Sequence, residues 1–172
     1  MLGSTSDTSV TRRRLIQVGM AFGAALTFGA GLRLDVPAPG ARLLSAEELS
    51  VVSALALAFF PGAPMPVDGV QAGVVAEVDR LLADIVEEPA QSAFRYTLRA
   101  IEWGTLVTRG QRFSQLSLEE RAEVLDVWSD PSVVPRRAGL DLLRTLFGMA
   151  YFSNRQVLDH MGWRVGCKDF RP

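Results

Sequence analysis

From Ser45 to Met161, apolar side chains return every third or fourth position, the period of a helix packed on one face. Ser45-Ala46-Glu47-Glu48 opens the first such run as a capping box, in which the serine and the glutamate three places on satisfy each other's free backbone donors. That run carries Leu49, Val52, Leu55, Ala56 and Phe59 and stops at Pro61-Gly62, after which Pro64 and Pro66 keep the chain extended to about Gly69. A second helix is predicted from Val74, Val78, Leu81, Leu82 and Ile85. A third runs from about Pro89, which a first turn accepts, to Thr108, with Phe94, Leu98, Ile101 and Leu106 inside. Ser117-Leu118-Glu119-Glu120 is a second capping box; its helix buries Val124, Leu125 and Trp128 and halts at Asp130-Pro131. A fifth helix passes from Arg136 through Leu140, Leu143 and Phe147 to Phe152, and a short sixth, Asn154 to Met161, ends at Gly162. No alternation of period two lasts beyond a few residues, and no repeat is present. The expectation is an all-α fold, a compact bundle of about five to six helices over residues 41–172.

Residues 1–40 follow a different pattern. Arg12, Arg13 and Arg14 precede an uncharged stretch, Val18 to Leu32, dotted with Gly19, Gly23, Gly29 and Gly31, and a Pro/Ala/Gly segment closes it. Basic, then apolar, then small and polar is the layout of an export signal. At about 1.5 Å per residue the apolar stretch spans roughly 22 Å, short of the ~30 Å hydrocarbon core, which argues against a permanent anchor. Thr11-Arg12-Arg13-Arg14-Leu15-Ile16-Gln17 resembles the twin-arginine signal, with Arg12, Arg13, Leu15 and Ile16 at its defining positions. Such signals are addresses read by a receptor, and the resemblance implies the twin-arginine translocase, which exports folded proteins; the basic start of a general secretory signal is the alternative. Ala38 and Gly40 offer small residues two apart, compatible with a cut before Ala41, although Pro39 lies between them.

Composition narrows the function classes. Apolar residues make up 48% of the 172, enough for one core without disulfides or metals. With 18 basic and 19 acidic residues, the chain lacks the positive excess that phosphate binding needs, which argues against a nucleic-acid partner. After residue 40 the balance is 14 basic to 17 acidic. One cysteine and one histidine exclude an internal disulfide and a soft-metal cluster.

Catalytic constellations are missing. No G-x-G-x-x-G follows a strand and no Cys-x-x-Cys-His occurs, so no dinucleotide site or covalent haem site is expected in this chain. His160 and Asp159 are adjacent in a helix and point apart, and no nucleophile elbow accompanies them. The acidic pairs Glu87-Glu88 and Glu119-Glu120 sit at helix starts, where the helix dipole accounts for them. Cys167 stands alone near the C-terminus, either as one half of a disulfide to another subunit or as a reduced bystander. Trp103, Trp163, Tyr151 and Phe152 are candidates for a partner-facing surface, with core packing as the alternative for each.

Several stretches in order resemble the small-subunit family named for gluconate 2-dehydrogenase subunit 3. They are Phe59-Phe60-Pro61-Gly62, Gly69-Val70-Gln71-Ala72-Gly73-Val74, Val78-Asp79-Arg80-Leu81-Leu82, Phe113 to Arg121, Tyr151-Phe152-Ser153-Asn154 and Gly162-Trp163. The resemblance implies a non-catalytic subunit, without cofactor of its own. Its larger partner would be an FAD-dependent dehydrogenase of the glucose-methanol-choline class, with a haem c (cytochrome c) subunit as electron acceptor. It also implies that this subunit's signal takes the folded pair to the periplasm, where the complex associates with the inner membrane. A stand-alone exported helical binding module, and an enzyme acting through His160 or Cys167, are the competing readings.

Overall fold

A computed structural model of the protein describes residues 36–163, and within them six α-helices and one 3-10 turn form, with no strand among the described residues. They are α1 (Ala46–Phe59), α2 (Val74–Asp84), α3 (Glu88–Arg109), the turn Phe113–Gln115, α4 (Leu118–Trp128), α5 (Val134–Phe152) and α6 (Arg155–His160). The expected all-α class is the observed one. Helix α1 is the hub: it packs against α2, α3, the 3-10 turn, α4 and α5, while α6 rests on α5.

The ends of the helices follow from local chemistry. Both capping boxes form, Ser45 with Glu48 and Ser117 with Glu120. Backbone and hydroxyl groups of Ser117 donate to the Glu120 carboxylate and hold it below its ordinary range. Pro89 and Pro135 sit in first turns, and Gly110 ends α3 in the left-handed region, φ 72°, with its N–H on the Leu106 carbonyl. Asn154 caps α6 by accepting from the N–H groups of Gln156 and Val157, and its amide nitrogen donates to the Ala72 carbonyl at 3.0 Å. A cap thereby also ties the last helix to the loop ahead of α2.

The core is continuous. Val51, Val52 and Leu55 of α1 meet Val74, Val78 and Leu82 of α2, Phe94, Leu98 and Ile101 of α3, and Leu140, Leu143 and Phe147 of α5. Phe147 lies at its centre, 5.4 Å from Phe59 and 6.5 Å from Phe94 between ring centroids. Trp128 is half-buried against this cluster. Two expected core positions turn outward. Ile85 is 63% exposed because α2 ends one residue earlier, and Leu106 is 41% exposed because it lies about 100° around the helix from the buried Thr105.

One loop position is set by close approach. The chain between α1 and α2 folds back so that Gly69 donates to the Phe60 carbonyl at 2.9 Å. A β-carbon on Gly69 would lie 2.3 Å from the Ala56 carbonyl oxygen and 2.8 Å from its carbon. Backbone cannot yield as a flexible side chain can. Gly69→Ala is therefore expected to destabilise the fold by about 2–3 kcal/mol. Gly104→Ala, in open space within α3, should instead stabilise by up to about 1 kcal/mol. Urea unfolding of the two purified variants, with opposite shifts in midpoint, checks the pair.

Candidate partner-binding surface

The buried polar groups come first, since they would carry any chemistry. Three carboxylates lie inside: Glu48 at 2% exposure, Asp79 at 4% and Glu102 at 2%. Each is occupied by its own chain. Glu48 accepts from the Ser45 N–H at 3.0 Å and from the Arg95 guanidinium at 2.8 and 3.1 Å, with Arg99 at 3.4 Å. Asp79 accepts three consecutive backbone N–H groups, Arg42 at 2.6 Å, Leu43 at 3.1 Å and Leu44 at 2.8 Å. Glu102 accepts from the Ser114 N–H at 2.9 Å and its hydroxyl at 2.7 Å, so the 3-10 turn hangs on α3. Carboxylates buried and engaged in this way act as clasps on their own chain.

Other starting points for chemistry are equally bare. His160 is exposed at the end of α6. No group of three or more His, Cys, Asp or Glu that could hold a metal occurs among the described residues. The recess lined by Glu47, Val51, Leu98, Arg99 and Trp103 has room for no more than about one water.

The outward features are apolar. On α3 the buried face is Phe94, Leu98, Ile101 and Thr105. Tyr96, Ala100, Trp103 and Val107 repeat the same spacing two residues later, which at 100° per residue puts them within an arc of about 60° on the opposite side. Tyr96 is 57% exposed and Val107 89%, while Ala100 and Trp103 are half-buried. The stripe runs about 16 Å along the helix. Over Trp103 lies the Arg112 guanidinium, 4.3 Å from the ring centroid, and Arg112 pairs with Glu47 of α1 at 3.0 Å.

A second patch occupies the far end of α1. Met149 and Phe152 are one turn apart on α5, 52% and 45% exposed, and the Phe152 ring lies 6.2 Å from that of Phe60. Tyr151 does not belong to this surface; of its two readings, core packing is the one that holds. It is 1% exposed, stacks flat on Phe60 with centroids 3.9 Å apart, and donates its hydroxyl to the Val67 carbonyl at 2.8 Å. Its position four residues after Phe147 is the core register. Burial, and secondarily the charge of Asp68, raises its pKa, so it stays a phenol donor. Trp163 is 62% exposed just after α6, its backbone N–H donating to the Leu158 carbonyl at 2.9 Å. Arg12, Arg13, Leu15, Ile16 and Cys167 lie outside the described residues.

Residues 46–165 match the family model for gluconate 2-dehydrogenase subunit 3, and the chain belongs to that family. The match spans all six helices and agrees with an accessory subunit of a dehydrogenase complex. No curated protein and no solved structure shows significant similarity to the chain.

Sequence reasoning saw Glu48 only as the acid of a capping box and passed over Asp79 and Glu102 as clasps, although a signal existed. Glu102 is four residues after Leu98 and three before Thr105, and Asp79 is three before Leu82, so both acids stand at core register. Asp79→Ala leaves three N–H groups without their acceptor and is expected to cost about 2–3 kcal/mol. Hydrogen exchange should then accelerate at the amides of Arg42, Leu43 and Leu44 while those of α3 keep their protection.

Proposed function

We propose that the chain is a non-catalytic small subunit. It carries a larger FAD-dependent dehydrogenase of the glucose-methanol-choline class across the inner membrane and stays bound to it through the outward stripe of α3. The observation that carries this reading is the stripe itself, Tyr96, Ala100, Trp103 and Val107, on a chain whose family is named for a subunit. A contiguous apolar surface with an aromatic at its middle suits a protein partner, since Trp and Tyr are enriched where interface energy concentrates.

Export explains the rest of the sequence. A dehydrogenase that has folded around its flavin cannot pass a pore built for unfolded chains, so it needs the twin-arginine route. On this reading Arg12, Arg13, Leu15 and Ile16 supply the address for both proteins, and the subunit acts as escort and chaperone. FAD and haem c then belong to the partners, a large dehydrogenase subunit and a cytochrome c subunit. No helix among the described residues is long and apolar enough to cross a membrane. On this reading membrane association runs through those partners.

The test is a pull-down of the epitope-tagged full chain from periplasmic and membrane fractions of its native host, with mass spectrometry of what accompanies it. A large flavoprotein lacking its own signal is expected; a chain recovered alone would sink the proposal and leave a stand-alone exported module. Replacing both Tyr96 and Val107 by Ser, exposed positions that the fold does not need, should lower the recovered flavoprotein about tenfold or more. The Arg12→Lys, Arg13→Lys double variant should leave both proteins in the cytoplasm, as cell fractionation would show.

A further inference from the structure

Trp103 is the largest side chain of the α3 stripe, and its orientation is held from outside its own helix. The Arg112 guanidinium sits over the indole at 4.3 Å, inside the range of a cation–π contact. Arg112 is in turn fixed by Glu47, whose carboxylate accepts from Nη1 at 3.0 Å. Glu47 occupies the first turn of α1, where the helix dipole favours a negative charge. Its neighbour Glu48 grips α3 from within through Arg95 and Arg99.

Two consecutive acids of α1 therefore hold the same helix in two ways. Glu48 binds the arginines that flank the stripe, and Glu47 reaches over the surface through Arg112 to the ring. The circuit closes on α3 at both ends, so the indole lies under a cationic cover that is itself held from α1. An anchor already held in one rotamer gives up less freedom on association, which strengthens binding without a new contact.

We propose that Glu47 and Arg112 form a clamp that presets Trp103 in the rotamer the larger subunit receives, which makes Glu47 a positioning residue of the interface. This rests on the reading that the α3 stripe is the docking surface. The plainer role for the pair is to tie the turn after Gly110 to α1, and the two roles separate in a double-mutant cycle.

The experiment uses the full tagged chain in its native host, with FAD released per mole of tag after graded dilution as the probe. Four chains are compared: the parent, Glu47→Gln, Trp103→Phe and the double variant. Glu47→Gln should lower retained FAD about three- to tenfold in the parent and far less in the Trp103→Phe background. Arg112→Lys, which keeps a cation over the ring, should restore most of the retention lost in Arg112→Ala. An equal loss from Glu47→Gln in both backgrounds would overturn the clamp and leave the turn-tying role. Retention unmoved by Trp103→Ala would instead sink the docking reading. A second measurement needs no partner: with Trp128 and Trp163 replaced by Phe, Trp103 is the sole emitter. Glu47→Gln should then lower its fluorescence anisotropy and speed its quenching by acrylamide at unchanged unfolding midpoint. No change in either would overturn the clamp whatever the partner does.

Discussion

Burying Glu48 is the constraint on which the arrangement of the helices turns. A carboxylate at 2% exposure is tolerable only with its charge met, and Glu48 is met by Arg95 and Arg99, one turn apart on α3, as well as by the Ser45 N–H. That requirement fixes how far α3 rotates about its own axis. With Phe94, Leu98 and Ile101 in the core and the two arginines turned to α1, Tyr96, Ala100, Trp103 and Val107 have only the outer side left. The internal ion pair thus decides what the surface displays. Buried pairs of this kind add little net stability, since desolvation offsets their attraction, yet removal of one member is severe. Their contribution here is to the choice of one packing over others that the same apolar rows would allow.

Asp79 and Glu102 apply the same chemistry to segments that lack a helix of their own. Residues 42–44 run without regular structure, and their N–H groups would be unpaired against α2 were it not for the Asp79 carboxylate. The 3-10 turn is held likewise, with Glu102 taking the Ser114 donors while the Arg121 guanidinium donates to the Phe113 and Ser114 carbonyls. A bundle of short helices has many ends and connections to satisfy. Three acids on three different helices do so from inside, which leaves the surface free of that task.

Local interactions were legible in the sequence and distant ones were not. Both capping boxes, the stops at Pro61-Gly62 and Gly162 and the six helices depend on residues within four positions of one another. The clasps join residues far apart, 47 positions between Glu48 and Arg95 and 35 between Asp79 and Leu44, and no single-sequence pattern pairs them. For Tyr151 both a partner-facing and a core position were open; the row Leu143, Phe147, Tyr151 has core spacing, and the Val67 carbonyl satisfies the hydroxyl inside. The outward stripe was legible in principle, as the buried row of α3 displaced by two residues. It is easily missed because a helix with apolar residues on both faces resembles one that is simply buried.

The two outward apolar regions differ in how they are prepared. Glu47 and Phe60 bracket α1, so the Trp103 region and the Phe60–Phe152 patch stand about 20 Å apart along that helix. In the second patch Met149 is an exposed, flexible thioether chain, adaptable but costly to order when a partner arrives. At the first, the indole is covered by Arg112, Arg112 is held by Glu47, and the helix beneath is locked by Glu48. A surface kept for solvent has no use for that sequence of constraints, because a mobile tryptophan would be just as soluble. Rigid presentation is useful when another molecule must fit the ring, and that argument is why the α3 stripe rather than the α5 patch is the docking surface proposed above for a larger subunit.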